Sequence, residues 1–428
     1  MKNQFSFYLK EIKNVGSKGF FHLFTAQGFI IIVGFVSQLF VAGFLDPTDI
    51  GRIKIMQTFI SLSTLICGLG FNTSLLKLAS ENRTDEEKKR LYQTAFLITL
   101  ISFVVIYLVL YLLSFLGMVS TDPVISNIFP VYALFLLPLS LQSIQLAYYQ
   151  ALKQIKKMAK LQFIVKLISI LFIVIFTWLF KLNGYIITIV STGFLAIIIF
   201  EIGIKNVIFK ASYFKLNFKL LKSMWHFAGY ALITNVVGTL AATVDVYLIN
   251  YLITDRKEVG YYMFALTILG VYQLFPTTIQ QIAFPFFSEQ SSSYSVWYNS
   301  YKKYNKLNHF LIFFIVLGGA LILPVLIKLA FSGKYDRSIY YFVFLSIAWL
   351  IKNSNIMKGT AIMGQGRFDL NFFGSLITLA LTIPIVFISI KNYGLNGAIT
   401  GMIIAAIIYY ITSSLIFRSF NKKMSNGV

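Results

Sequence analysis

Long apolar runs recur from one end of this chain to the other, each about as long as a bilayer is thick. A helix rises roughly 1.5 Å per residue, so a hydrocarbon layer of roughly 30 Å asks for about 20 mostly apolar residues. Twelve runs meet that requirement, at approximately 19–44, 53–78, 92–117, 126–150, 160–180, 184–204, 226–253, 259–286, 307–330, 339–360, 370–390 and 394–417. In lipid a run of this length satisfies its own backbone N–H and C=O groups by coiling into a helix. The expectation is an all-α polytopic membrane protein with twelve transmembrane helices. Composition agrees: 57% of the 428 residues are hydrophobic and 12% charged, where a soluble domain carries about 25% charged residues.

An even number of spans leaves both termini on one face, and the Lys/Arg distribution selects it. With the span-end cations counted to the nearest connection, the tails and the even-numbered loops hold 27 cations and the odd-numbered loops 9, leaving Lys166 assigned to neither. Both termini are therefore expected in the cytoplasm. The formal charge of +22 does not point to nucleic acid, because the cations lie between apolar runs and form no basic face. Residues 1–18 are polar and precede a run too long for a cleaved signal, so the first run is read as a retained span. Cys67 is the single cysteine and lies inside an apolar run, which rules out an intrachain disulfide. The longest connections, 205–225 and 287–306, fall on the cytoplasmic side. No outer loop has room for a folded domain, which argues against a membrane enzyme built around one.

The chain also repeats itself. Asp49-Ile50-Gly51 after the first run recurs as Glu258-Val259-Gly260 after the seventh; Gln154-Ile155-Lys156 parallels Gln365-Gly366-Arg367; Leu182-Asn183-Gly184 recurs as Leu395-Asn396-Gly397. The offsets are 209, 211 and 213 residues. Convergent turn chemistry can produce any one match; three in order point to two six-helix bundles, residues 1–210 and 211–428. Like-oriented halves imply a pseudo-twofold axis along the membrane normal and a site between them near the midplane.

At these residues the chain resembles the O-antigen (Wzx-type) polysaccharide flippases of the MATE-like (MOP) superfamily. FLDPTDIGRIKIMQTFISLSTLICGLGFNTSLLKLASE at 44–81 is similar to the family's turn after the first span and the span that follows it. AATVDVYLINYLITDRKEVGYYMFA at 241–265 is similar to its seventh span with an intramembrane aspartate, here Asp245, and YYQALKQIKKMAK at 148–160 to its turn after the fourth. The resemblance implies a V-shaped pair of bundles in the bacterial cytoplasmic (inner) membrane. It implies movement of an undecaprenyl-pyrophosphate-linked oligosaccharide, an O-antigen or capsular repeat unit of lipopolysaccharide type, to the outer leaflet by alternating access. The partners implied are that lipid-linked substrate, membrane lipid, a polysaccharide polymerase, a chain-length regulator and a coupling ion, H+ or Na+; no nucleic acid and no cofactor are implied.

A flippase must shelter sugars and a pyrophosphate inside the bilayer, so polar side chains within spans are the candidates. Lys54, Thr58, Ser61, Gly68 and Asn72 form a stripe at helical spacing in span 2. Asn235, Gly238, Ala242 and Asp245 do so in span 7; span 4 adds Gln142 and Gln145, and span 8 adds Gln273, Thr277 and Gln280. Such stripes serve either a shared cavity or helix packing. Asp245 either pairs with a cation such as Lys54 or holds the coupling ion. Lys166 either attracts pyrophosphate or snorkels to the headgroups. Lys352 and Lys358 in span 10 are the second-half counterparts, and Arg52 joins Lys54 as an unusual cation pair near an outer turn. Glu201 is expected to pair with Lys205 across one helical turn.

Three scattered histidines, one cysteine and one membrane acid compose no metal cluster, phosphate-binding loop or nucleophile triad. The expectation is a transporter and not an enzyme. A cation-coupled multidrug exporter of the same fold is the first alternative; such exporters carry an acid in span 1, and residues 19–44 contain none. ENRTDEEKKR at 81–90 stands where a major-facilitator transporter has its charged glycine-rich signature. A membrane polysaccharide polymerase is the alternative of another class, disfavoured by the short outer loops.

Overall fold

A computed structural model describes residues 33–81, 83–204, 218–290 and 293–426. Those residues are helical apart from short connections, and contain no strand. In chain order the helices are α1 (Val33–Phe44), α2 (Pro47–Gly68), α3 (Phe71–Ser80), α4 (Asp85–Phe115), α5 (Pro123–Ala133), α6 (Leu136–Ala151) and α7 (Ile155–Gly203). They continue with α8 (Phe218–Leu252), α9 (Arg256–Tyr272), α10 (Leu274–Glu289), α11 (Tyr294–Phe331), α12 (Asp336–Asn353), α13 (Ile356–Gly364) and α14 (Phe368–Asn426). Among the described residues, seven helical stretches are long and apolar enough to cross a membrane, or eight if the α5–α6 pair, bent by 40°, counts as one broken span. Lipid-facing side chains are correspondingly bare, as at Leu321 and Leu329 on α11 and Phe115 at the end of α4. The chain is a multi-pass membrane protein.

Local chemistry explains the breaks. Pro47 opens α2, where its missing N–H costs nothing. Leu69 and Gly70 both adopt left-handed backbone angles and divide the predicted second span into α2 and α3. In the charged 81–90 stretch, Thr84 accepts from the Glu87 backbone N–H while the Glu87 carboxylate accepts from the Thr84 N–H, a reciprocal cap that starts α4.

α7 and α14, at 49 and 59 residues, would run roughly 74 and 89 Å if straight, far beyond a bilayer. Each is interrupted once, at Lys181 (φ 53°, ψ −135°) and Gly394 (φ 58°, ψ −137°). These residues are 213 apart and immediately precede the two Leu-Asn-Gly repeats, so the sequence repeat is also a repeat of one backbone turn. Gly51 and Gly260, the glycines of the first repeat, meet face to face: a Cβ on Gly51 would stand 3.1 Å from the Gly260 Cα. Glycine at 260 above all lets α2 and α9 approach backbone to backbone, since a Cβ there would stand 1.9 Å from the Pro47 carbonyl oxygen.

The apolar interior is one body at the Gly51–Gly260 end and two at the other. The joined part runs from Val41, Ile50 and Ile53 through Phe129 and Tyr132 to Val259, Tyr262, Tyr335 and Leu345. Beyond it, one cluster gathers Phe71, Leu75, Tyr92, Ile144 and Phe200, with Met224 and Ala228 from the start of α8. A separate one gathers Ile279, Phe287, Trp297, Tyr301, Met357 and Phe417.

Candidate functional site

Three ionisable side chains from α2, α8 and α12 converge between the halves of the chain. Asp245, two turns before the end of α8, is 1% exposed, and its Oδ2 accepts a 2.8 Å hydrogen bond from the Tyr262 hydroxyl of α9. Lys54 on α2 and Lys352 at the end of α12 are both half-buried, and both lie within electrostatic reach of Asp245. The partner in direct contact is thus Tyr262, with Lys54 a near neighbour; neither lysine forms an ion pair with the acid. Two amines thus lie near one carboxylate, in a region where an isolated charge costs at least about 2.5 kcal/mol. A second link ties α2 to α8: the Tyr247 hydroxyl donates to the Thr58 carbonyl at 3.2 Å, while buried Thr58 spends its own hydroxyl on the Lys54 carbonyl.

Lys166 stands apart from this cluster. α7 begins at Ile155, so Lys166 lies about 16 Å along it. Its Cε and Nζ lie 3.1 and 3.4 Å from where a Cβ on Gly34 would stand, so the missing side chain on α1 makes room for the amine. Among the described residues it has no acidic or hydrogen-bonding partner.

Other candidates are committed to structural bonds. Arg52 donates from Nε to Asp122 at 2.8 Å and from Nη1 to Asp49 at 2.9 Å, clamping α2 to the start of α5. Topology gave no reason for a cation there; the two carboxylates do. Gln145 is fully buried and donates to the Ile197 carbonyl and to Glu201. Glu201 also accepts from Tyr92 at 2.6 Å; its expected partner Lys205 lies outside the described residues. Lys358 donates to Asn355 and Ser414 at 2.6 Å each and sits 4.4 Å from the centre of the Tyr410 ring. Gln273, at the break between α9 and α10, accepts from Trp349 at 3.1 Å, and Thr277 donates back to the Gln273 carbonyl. Asn72 caps the following N–H of α3, Asn235 is exposed and Gln142 half-buried. Gln280 lines a cavity elsewhere in the second half.

The Gly51–Gly260 end is sealed by polar contacts that the sequence did not single out. Tyr335 donates to the Ala42 carbonyl at 3.0 Å and Lys334 to the Leu45 carbonyl at 2.6 Å. Ser120 donates to Asn250 at 2.6 Å, and Asn250 returns a bond to the Val119 carbonyl at 2.8 Å. Glu258 pairs with Arg337 at 3.3 Å and accepts from Tyr341 at 2.5 Å. At the opposite end Phe71 packs against Trp225, and Gly70 lies against the Ala228 backbone.

A family model described as "Polysaccharide biosynthesis protein" matches residues 17–291. No curated protein matches the chain in sequence. Among solved structures, the lipid II flippase MurJ in an inward closed conformation is 17% identical, covers 91% of this chain and 86% of its own, and superposes with a TM-score of 0.73. An inward-facing multidrug resistance MATE family transporter of the MOP superfamily is 13% identical, covers 92% and 96%, and gives 0.68. The eukaryotic MATE transporter AtDTX14 is 12% identical, covers 97% and 98%, and also gives 0.68. At these identities the likeness establishes a shared fold.

Proposed function

Because the chain belongs to the polysaccharide biosynthesis protein family, we propose that it is a flippase carrying an undecaprenyl-pyrophosphate-linked oligosaccharide across the bacterial cytoplasmic membrane. The observation that carries this reading is the cluster of Lys54, Asp245 and Lys352, which brings two amines to one buried carboxylate between the halves. A pyrophosphate fits a pair of amines. The lone amine of Lys166 is a second phosphate contact on the first half.

On this reading the chain crosses twelve times, with residues 1–210 and 211–428 as the two lobes and both termini in the cytoplasm. The interruptions at Lys181 and Gly394 support the count, since each divides an overlong helix into two spans. The Gly51–Gly260 end is then the outer end, held shut, and the end where the core divides into two clusters faces the cytoplasm, where the lipid-linked glycan is loaded. Asp245 balances the lysines while the site is empty; a coupling proton or sodium ion would act by changing that balance.

The test is deletion of the gene in a strain that makes the glycan. Lipid-linked repeat units should accumulate on the cytoplasmic leaflet. Accumulation on the outer leaflet would indicate a polymerase, and unaltered glycan with lost drug resistance would indicate an exporter.

A further inference from the structure

In the second half of the chain, a cavity of about 160 Å³ opens between α10, α13 and the two ends of α14. Its polar wall consists of Gln280, Thr360, Asn371, Ser375, Tyr409 and Ser413; no carboxylate, amine or guanidinium lines it. Lys358, on α13, turns its amine to Asn355, Ser414 and the Tyr410 ring.

The wall is short of partners. Asn371 spends one amide N–H on the Gly359 carbonyl at 2.9 Å, which orients the side chain and leaves its oxygen unspent. The side chains of Gln280, Ser375, Tyr409 and Ser413 have no hydrogen-bond partner among the described residues. These four side chains are half-buried, so their polar groups remain accessible at the cavity and free to hydrogen-bond an occupant. Size narrows the occupant: a cavity of about 150 Å³ holds one six-membered ring. Chemistry narrows it further, since amides and hydroxyls offer both donors and acceptors without charge, while Leu370, Ile416 and the Tyr409 ring supply an apolar side. The matching ligand is an uncharged ring dense in hydroxyl groups.

We propose that this cavity seats one sugar ring of the translocated glycan, apart from the lysines that hold the pyrophosphate. The inference rests on the flippase reading and assigns the recognition of sugar and of phosphate to different places. It also makes substrate selection a property of the second half.

The experiment uses full-length protein in lipid nanodiscs and two probes: the lipid-linked repeat unit extracted from the deletion strain, and bare undecaprenyl pyrophosphate. Wild-type protein should prefer the sugar-bearing lipid. Ser413→Leu, which fills the cavity, should erase that preference, and Tyr409→Phe, which removes one hydroxyl, should reduce it by about 2- to 12-fold. Both should bind bare undecaprenyl pyrophosphate like wild type. Thermal melting verifies folding, and Tyr409→Phe decides should Ser413→Leu fail to fold. A preference absent from wild type, or unchanged in Tyr409→Phe, would mean a cavity filled by water only and would overturn the proposal. Failure of wild type to bind either lipid would instead overturn the flippase reading.

Discussion

The contact between Gly51 and Gly260 yields an asymmetric prediction. A Cβ placed on Gly260 would stand 1.9 Å from the Pro47 carbonyl oxygen and 2.3 Å from its carbon. A carbon–oxygen contact relaxes at about 3.3 Å, so α2 and α9 would have to part by roughly 1.4 Å. Both colliding atoms are backbone, and no side-chain rotation relieves them. A Cβ on Gly51 would stand 3.1 and 3.2 Å from Gly260 Cα and N, which a shift of a few tenths of an ångström accommodates. Overpacking of the first kind costs about 1–3 kcal/mol, against a gain of roughly 0.5–1 kcal/mol from better helix propensity. If the contact exists only when this end is closed, Gly260→Ala tips the equilibrium towards opening by up to about 150-fold, whereas Gly51→Ala changes it little. The assay places a single cysteine at Ala242 in a Cys67→Ser background and adds a membrane-impermeant maleimide outside whole cells. Labelling should quicken in Gly260→Ala, with surface glycan reduced, and stay near the parent rate in Gly51→Ala. Equal labelling in the two variants, at normal membrane abundance and melting temperature, would refute the reasoning.

Alanine at Lys54, Lys352 or Asp245 should abolish surface glycan without lowering membrane abundance, while Tyr262→Phe, which removes the 2.8 Å bond to Asp245, should lower transport by less; glycan assays with immunoblots of membranes test both. Arg52→Lys should lower stability by about 1.5–3 kcal/mol, because its two carboxylate bonds are largely shielded from solvent. Arg83→Lys, at an exposed pair, should change it by less than about 1 kcal/mol; denaturation of the purified variants compares them. Lys181→Gly should stabilise the protein by about 1 kcal/mol and Gly394→Ala destabilise it by about 1–3 kcal/mol, since only glycine adopts φ 53–58° with ψ near −135° without strain; thermal melting gives both signs.

Much of the architecture was legible in the residues, and the exceptions have physical reasons. The Leu-Asn-Gly repeat marked a turn correctly, although Lys181 stands where its counterpart is Gly394 and hides the shared backbone angle from a composition-based reading. Lys352 and Lys358 read together as the second-half counterparts of the first-half cations, yet the chain breaks between them, after Asn353; one amine comes within reach of Asp245 and the other goes to Ser414. Tyr262 carries no sequence signal as the partner of Asp245, because the loop joining α8 to α9 sets that contact and no helical spacing does. For Arg52, Asp49 stands three residues earlier at helical spacing, but its second partner Asp122 lies 70 residues away and carries no such signal.

Hydropathy, charge distribution and repeat spacing are local or periodic quantities, and they determined that this chain is helical and membrane-embedded. They set its repeat as well, because burial in lipid dictates which residues each run contains. Only the tertiary structure decided which polar groups inside those runs are spent. Hydrogen bonds and ion pairs depend on distances between helices far apart in sequence, and these bind Arg52, Gln145 and Lys358 into the framework while bringing Lys54 and Lys352 to share Asp245.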